Sequence, residues 1–217
     1  MMPLRILVVD DHAIMRRGIR SLLESHEGWE VVGEASTGRD AVEQSRQLRP
    51  DLVVMDMSLP ELNGLDATRQ ILKDAPATEV LMLTMHHSEE LARDVLQAGA
   101  RGFILKSDAD QNLITAVDTL RQHKPYLTPT VTEFMLDDYV RRGSAAQDQL
   151  TRVTVTARER EIIQLVAEGQ SNKRVAATLG VSVKTIESHR ASIMKKLRLR
   201  SVSDLVRYAI RNKIVQP

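Results

Sequence analysis

The first 127 residues repeat one pattern, in which a short apolar segment is followed by a longer amphipathic segment. The apolar segments are almost continuous in Val, Ile, Leu and Met, which is typical of strands buried on both faces of a parallel sheet. They are RILVV (Arg5–Val9), WEVVGEA (Trp29–Ala35), DLVVM (Asp51–Met55), EVLMLT (Glu79–Thr84) and GFIL (Gly102–Leu105). The segments between them predict helices at about 12–26, 38–48, 64–74, 88–98 and 110–122. This alternation indicates an α/β fold, a doubly wound five-stranded parallel sheet.

The residues that follow the predicted strands suggest what such a sheet would bind, because its ligands lie beyond the carboxyl ends of the strands. Asp10 and Asp11 follow the first strand and Asp56 follows the third. The fourth strand ends in Thr84, and Lys106 follows the fifth. The topology is therefore expected to bring these five side chains to one edge of the sheet.

The chemistry of this set is that of a phosphate site with a metal ion. Clustered carboxylates repel one another unless a cation lies between them. Mg²⁺ prefers oxygen ligands and leaves room for phosphate oxygens, and a carboxylate can itself accept a phosphoryl group as an acyl phosphate. A single Asp or Lys after a strand is more often a turn or capping residue, so the prediction depends on the complete set.

About residues 4–123 resemble the receiver domains of two-component response regulators, through the segments VVDDH, VVMDMSLPELNG, MLT and FILK. The resemblance implies that Asp56 is the residue that is phosphorylated. It also implies that Asp10, Asp11, Asp56 and the backbone carbonyl of Ser58 bind Mg²⁺.

The same resemblance assigns roles to residues on the fourth and fifth strands. It implies that Thr84 and Lys106 contact the phosphoryl oxygens. Phe103 has the position of a switch aromatic that turns inward after phosphorylation, and an ordinary core position is the alternative. Many receivers have a proline after the lysine, whereas this chain has Ser107, so the loop geometry there is left open.

The charge of the chain is divided unevenly along its length. Residues 1–127 have 14 basic and 20 acidic side chains, residues 128–149 have two and four, and residues 150–217 have 14 and five. The corresponding net charges are −6, −2 and +9. We therefore expect a receiver domain at 1–127, a helical linker and tether at 128–149, and a nucleic-acid-binding domain at 150–217. An ordinary solvated basic surface is the alternative for the last segment.

The basic segment predicts short helices whose first residues carry capping side chains. TARE at Thr156–Glu159 is a capping box, and Ser171 and Ser182 are N-caps. Two short helices around a Gly-containing turn, the second of them basic, indicate a helix-turn-helix within a small all-α four-helix domain. The predicted helices run from Thr156 to near Gly169, from Ser171 to Gly180, from Ser182 to about Leu197 and over about Val202–Asn212.

The third of these helices has one apolar and one polar face at helical spacing. Ile186, Ile193 and Leu197 point one way. The opposite face has short side chains between basic ones, which would let it enter a major groove closely while its lysines reach phosphates. His189 lies beside the apolar stripe, where packing is the more frequent role and base reading the alternative.

About residues 150–214 resemble the LuxR-type helix-turn-helix domain, through TARERE, AEGQSNKRVA and VSVKTIESHRASIMKKL. Arg174 departs from the family, which usually has Glu three residues after the serine cap. Arginine in place of this glutamate removes a capping bond and adds a positive charge near the expected DNA backbone. Together the two halves resemble a response regulator of the NarL/FixJ type. The predicted DNA contacts are Lys173, Lys184, Thr185, Glu187, Ser188, Ala191 and Lys195.

Between the halves, TVTEFMLDDYV (residues 130–140) could form a helix, and RRGSAAQDQ after it is small and polar like a tether. We expect the boundary near Gly143–Asp148. The chain has no cysteine, which excludes disulfides and thiolate metal sites. No apolar run of about 18 residues predicts a membrane helix and no signal peptide is recognisable, so no membrane association and a cytoplasmic location are expected.

These observations predict a transcription regulator of a two-component system, switched by phosphorylation, and not an enzyme. The expected partners are a cognate histidine kinase, double-stranded DNA, a second copy of the phosphorylated chain and RNA polymerase. The face from the fourth to the fifth helix of the receiver is expected to change on phosphorylation. Two alternatives stay open: a phosphate-handling enzyme with an aspartate nucleophile, and a DNA-binding protein whose receiver is only a dimerisation scaffold.

Overall fold

The computed structural model describes residues 3–85, 89–128 and 155–215, without the side chains of residues 89 and 90. The described residues form two compact units, each with its own apolar core. The expected linker at 128–149, apart from Thr128, lies outside the described residues. So do the predicted helix at 130–140 and the boundary near Gly143–Asp148.

The first unit is a parallel α/β sheet with strand order β2-β1-β3-β4-β5-β6, which confirms the predicted fold class. All neighbouring strands are parallel. The strands are β1 (Leu4–Val9), β2 (Trp29–Ala35), β3 (Leu52–Asp56), β4 (Glu79–Thr84), β5 (Gly102–Leu105) and β6 (Tyr126–Leu127). The helices are α1 (Ala13–Glu24), α2 (Gly38–Leu48), α3 (Gly64–Asp74), α4 (Glu89–Gln97) and α5 (Ala109–Arg121), with a 3₁₀ turn at Lys106–Asp108.

The sheet has six strands where five were predicted. β6 is a two-residue strand between Pro125 and Pro129, and such a short segment has no periodicity that a sequence pattern could reveal. It lies along the edge of β5, where the Tyr126 amide donates to the carbonyl of Arg101 at 2.9 Å. The Tyr126 hydroxyl is 3.0 Å from Oδ1 of Asn112 on α5. The edge of β5, part of the face expected to change on phosphorylation, is thus covered by the last residues of the receiver, directly before the linker.

The core of this unit has two layers, because successive side chains of a strand point to opposite faces of the sheet. Ile6, Val8 and Ile104 lie in one buried cluster with residues of α1 and α5. Met82 and Phe103 are paired residues of β4 and β5, and both are buried. The alternation places them on the opposite face from Ile104.

The strand order positions the predicted site. The chain goes from β1 outwards to β2 and then returns past β1 to β3, so the order reverses between β1 and β3. Ligands of open α/β sheets bind at such a reversal. The carboxyl ends of β1 and β3 are adjacent there, and β4 and β5 follow on the same side.

The second unit contains the four predicted helices, with bounds within two or three residues of the predictions. We label them α6 (Ala157–Ala167), α7 (Asn172–Leu179), α8 (Val183–Lys196) and α9 (Val202–Arg211). Their N-caps are Thr156, Ser171, Ser182 and Ser201, and each side chain accepts a bond from a backbone amide in the first turn of its helix.

Local signals account for this agreement. The capping box of Thr156 and Glu159 is complete. Gly180 ends α7 with a left-handed conformation (φ 64°), which glycine adopts without steric cost. Ile186 and Ile193 of α8 are buried in the core of the unit. Among the described residues, no helix has the length and apolar character needed to span a bilayer.

Candidate functional site

A buried lysine joins the carboxylates at the ends of β1 and β3. Nζ of Lys106 is 2.7 Å from Oδ2 of Asp10 and 2.9 Å from Oδ2 of Asp56. All three side chains are buried. Each residue follows or ends a different strand, and the adjacent strand ends of the parallel sheet bring them together.

Asp11 and its neighbour His12 lie at the exposed side of this group. The Asp11 side chain is 35% exposed, whereas that of Asp10 is fully buried. Nδ1 of His12 is 2.7 Å from Oδ1 of Asp11, and the His12 backbone amide donates to Oδ1 of Asp10 at 2.8 Å. The two adjacent aspartates therefore have different environments: one is fixed in the interior, and the other is accessible from solvent.

The charges of the buried group depend on each other. The pKa of Asp56 is raised to about 6, mainly by burial, while Lys106 and the backbone amide of Ser58 lower it and the nearby charge of Asp10 raises it. Burial disfavours the charge of Lys106, but its contacts with Asp10 and Asp56 outweigh this effect, so the pKa of Lys106 is raised. The ammonium is thus kept charged between two carboxyl groups.

Thr84 and Ser58 complete the predicted set. Thr84 is buried at the end of β4, where its hydroxyl is 3.9 Å from Sδ of Met57, the residue after Asp56. The amide of Ser58 faces Asp56, and the placement of its carbonyl as a metal ligand stays a prediction. The strand ends thus bring Asp10, Asp11, Asp56 and Lys106 together, with Asp11 at the solvent side. Thr84 ends β4, the strand next to β3.

Phe103 is only 1% exposed and is the largest fully buried side chain of the described residues. It therefore already has an inward position in this structure. Thr84 lies on the same face of the sheet, because Phe103 pairs with Met82 and Thr84 is two residues further along β4. The position suits both the proposed switch role and an ordinary core role.

The segment after Asp56 is held close to β3 by a glycine. The Gly64 amide donates to the carbonyl of Met57 at 2.9 Å. A Cβ atom at Gly64 would lie 2.1 Å from the carbonyl oxygen of Asp56, closer than any side chain permits. Gly64 is thus required for the backbone conformation that carries the aspartate.

The donor set fits a magnesium ion. One ligand atom each of Asp10, Asp11, His12 and Asp56 lies within 4.8 Å of the others. Carboxylates are hard oxygen ligands that suit Mg²⁺, and three of them with one lysine leave a negative charge that a divalent cation would neutralise.

Three residues near the site were not singled out from the sequence. His12 contacts Asp11, and Arg16 donates from its guanidinium to the backbone carbonyl of Asp10 at 2.8 Å. Gly64 lies close to the backbone of Asp56 at the end of β3. The position of His12 directly after two aspartates is the one signal that could have indicated a role. The contacts of Arg16 and Gly64 depend on packing between elements.

The second unit presents the predicted DNA-contact residues at its surface. Six of the seven are exposed and Thr185 is half-buried. Thr185 is held by the cap of α8, where its hydroxyl is 2.8 Å from Oγ of Ser182. His189 is half-buried, which leaves both of its interpretations open. The exposed residues are Lys173, Lys184, Glu187, Ser188, Ala191 and Lys195.

Polar contacts fix α8 against the rest of this unit. Lys196 of α8 donates to Oε2 of Glu159 at 2.6 Å, and Arg190 of α8 donates to Oδ1 of Asn172 at the start of α7. Arg174 is exposed, and its amide, not its side chain, donates to the Ser171 cap at 3.4 Å. The helix that would read DNA is thus held rigidly by the helices before it.

Comparison with known families divides the chain in the same way. The family described as the response regulator receiver domain matches residues 6–118. The family described as bacterial regulatory proteins of the luxR family matches residues 153–209.

Similar proteins cover most or nearly all of this chain. The oxygen regulatory protein NreC of Staphylococcus carnosus is 39% identical over 215 residues, which cover 98% of this chain and 99% of that protein. The crystal structure of a LuxR-family two-component response regulator from Aurantimonas sp. is 35% identical with a TM-score of 0.60, over 64% of this chain and 99% of that one. RcsB from Salmonella enterica serovar Typhimurium, bound to a promoter in the presence of the phosphomimetic BeF₃⁻, is 26% identical with a TM-score of 0.58, over 94% of this chain and 97% of that one.

Proposed function

This chain belongs to the response regulators that join a receiver domain to a LuxR-type DNA-binding domain, and from that premise we propose that phosphorylation of Asp56 controls its binding to DNA. The observation that carries the proposal is the contact of Lys106 with Asp10 and Asp56 at the end of the sheet. The proposed domains are a receiver at 1–127, a linker at 128–149 and a DNA-binding domain at 150–217.

In the proposed reaction, an oxygen of Asp56 forms the bond to phosphorus while the bond between phosphorus and a histidine of a sensor kinase breaks. Asp10, Asp11, Asp56 and the carbonyl of Ser58 would hold Mg²⁺, which supplies positive charge to neutralise the phosphoryl oxygens. Lys106 is already 2.9 Å from the acceptor, so its ammonium can bind a phosphoryl oxygen as soon as one is present.

The proposed switch connects the acceptor to the core of the receiver. The Thr84 hydroxyl would turn towards the phosphoryl group, and Phe103 on the same sheet face would be held in its inward position. Phosphorylation can shift an equilibrium between two arrangements only as far as it stabilises one over the other. β6, which directly precedes the linker, lies beside Phe103, since Leu127 of β6 pairs with it, and this suits a signal that passes from β5 to the linker.

The proposed output is DNA binding by α8. Its exposed face has small and basic residues, which suits entry into a major groove. Lys184 and Lys195 of α8 and Lys173 of α7 would lie near phosphates. Two DNA-binding domains in a phosphorylated homodimer would bind a site with approximate two-fold symmetry. The phosphodonor would be a cognate histidine kinase, and RNA polymerase would be a further partner at the promoter.

We also propose that the chain acts as a switch and is not an enzyme, since Asp56 would be phosphorylated once per signal without turnover of small phosphoesters. A regulator that binds chromosomal DNA works in the cytoplasm of a bacterium, which is the location that we propose.

The test compares the wild-type protein with Asp56→Asn. Acetyl phosphate and Mg²⁺ serve as phosphodonor and cofactor, intact mass reports phosphorylation, and fluorescence anisotropy with DNA selected from a random library reports affinity. We expect phosphodonor to raise the DNA affinity of the wild type and to have no effect on the variant. The control Glu30→Gln changes an exposed carboxylate on β2, away from α4 and α5, and should respond like the wild type. An undiminished response of Asp56→Asn would refute the proposal.

A further inference from the structure

The DNA-contact face of α8 contains one carboxylate, that of Glu187. The side chain is exposed, and it has no hydrogen bond or ion pair with any of the described residues. The other neighbours on this face are basic or small: Lys184, Ser188, Ala191 and Lys195. A negative charge at this place is unexpected on a surface that must approach a polyanion.

The helix does not neutralise this charge. Residues three positions away are neighbours on a helix, and Glu187 has Lys184 and Arg190 at those positions. Arg190 is hydrogen-bonded to Asn172 instead, and Lys184 is not within ion-pair distance. Other acids of the same unit are paired, for example Glu159 with Lys196 at 2.6 Å and Asp204 with Arg207 at 2.7 Å.

The major groove offers few partners for a carboxylate. Guanine presents two acceptors and thymine presents an acceptor and a methyl group, so both would leave the charge without a hydrogen bond. Adenine presents the N6 donor next to the N7 acceptor, which repels the second carboxylate oxygen. Cytosine presents the N4 amino donor, which is the contact that Glu and Asp make in the groove.

We propose that Glu187 is a specificity-determining residue that selects cytosine at one position of each half-site, by accepting a hydrogen bond from the N4 amino group. The inference rests on the proposed function, because it requires α8 in the major groove. Ala191, one turn further along α8, has only a methyl group there, so no long side chain of the next turn keeps Glu187 away from the base edges.

Two substitutions at Glu187 separate base selection from simple charge. Glu187→Gln keeps the size of the side chain and can bond adenine through N6 and N7. Glu187→Ala removes all base contact. Both remove a negative charge close to the DNA, so both should bind non-specific DNA about two- to fivefold more tightly than the wild type.

The experiment is selection from a random DNA library with phosphorylated full-length protein, followed by affinity measurements on single-base variants of the selected site. We expect the wild type to prefer cytosine at one position per half-site by roughly tenfold. Glu187→Gln should shift that preference to adenine, and Glu187→Ala should abolish it while other positions keep theirs. Glu30→Gln, at an exposed acid of β2, should leave selection unchanged.

The outcomes distinguish this inference from the proposed function. If phosphorylated wild-type protein selects no sequence at all, the proposed function fails and the inference fails with it. If it selects a sequence, and Glu187→Ala retains every base preference, only the role of Glu187 is overturned. A wild-type site that has no cytosine preference overturns the role in the same way.

Discussion

The ammonium nitrogen of Lys106 lies 2.9 Å from Oδ2 of Asp56, and both side chains are buried. The pair is almost shielded from water, so the charge of each residue depends on the other more strongly than at the surface. The same lysine also contacts Asp10 at 2.7 Å. One cation thus compensates two carboxyl groups at the place where a phosphoryl group and a metal ion would add further charge.

Replacement of Lys106 by Met should destabilise the metal-free protein. It leaves Asp10 and Asp56 without a cation, and removal of one partner of a buried pair costs about 3–5 kcal/mol. Mg²⁺ should restore part of the lost free energy of unfolding, because it can replace the missing charge. Urea unfolding with and without Mg²⁺ measures both effects.

Lys124→Met serves as the control, because Lys124 is an exposed lysine of the same unit. It should change the free energy of unfolding by less than about 0.5 kcal/mol. A Lys106→Met protein as stable as this control would show that the lysine is not needed to compensate the carboxylates.

Binding of Mg²⁺ should weaken as the pH falls through about 6, where Asp56 becomes protonated in the folded metal-free protein. Burial raises the pKa of Asp56 from its ordinary 3.8, so protonation favours the folded state. The raised pKa of Asp56 therefore adds to the free energy of unfolding fully below pH 3.8, and this contribution is lost as the pH rises through about 6.

Calorimetric titration of Mg²⁺ between about pH 5 and about pH 7.5 would measure this dependence. Asp56→Asn is the control, because it removes the titrating group and should bind the ion more weakly with a flatter pH profile. A profile that is equally steep in both proteins would assign the titration to another residue.

Gly64→Ala should destabilise the receiver and slow its phosphorylation by acetyl phosphate. The new methyl group would lie 2.1 Å from the carbonyl oxygen of Asp56, so the backbone that carries the acceptor must shift, at a cost of about 1–3 kcal/mol. Thermal unfolding and the rate of phosphorylation measured by intact mass test the two effects.

Gly18→Ala is a matched glycine substitution with the opposite expectation. Gly18 lies within α1, and a Cβ atom there meets nothing within 4 Å. Alanine should therefore stabilise the protein by about 0.5–1 kcal/mol and leave phosphorylation unchanged. Equal effects of the two substitutions would contradict the steric argument for Gly64.

Thr156→Ala should destabilise the start of α6 by about 1 kcal/mol. The Thr156 side chain accepts a bond from the Glu159 amide at 3.2 Å, and the Glu159 carboxylate accepts one from the Thr156 amide at 2.8 Å. Hydrogen exchange of the first-turn amides of α6 in the full-length protein should become faster. Thr156→Ser keeps the hydroxyl, so a similar acceleration in that variant would exclude the capping bond as the cause.

The elements of both units could be predicted from the sequence because their signals are local. The apolar strands of the receiver are short and flanked by polar residues. Three helices of the second unit follow the N-caps Thr156, Ser171 and Ser182, whose side chains accept bonds from amides of the first turn. β6 could not be predicted in this way, because two residues after a proline become a strand only when the edge of β5 is beside them.

The sequence by itself determined which chemical groups stand at the strand ends, since parallel strands of regular length place their last residues at one edge. It could not decide which of the two adjacent aspartates is buried, that Lys106 is shared between Asp10 and Asp56, or that Arg190 bonds Asn172 and leaves Glu187 alone. Those contacts join residues on different elements, and only the packing of the elements sets the distances between them. Because the strength of charge interactions depends on distance and burial, the tertiary structure decided which charges are compensated at the acidic site and on the predicted DNA-contact face of α8.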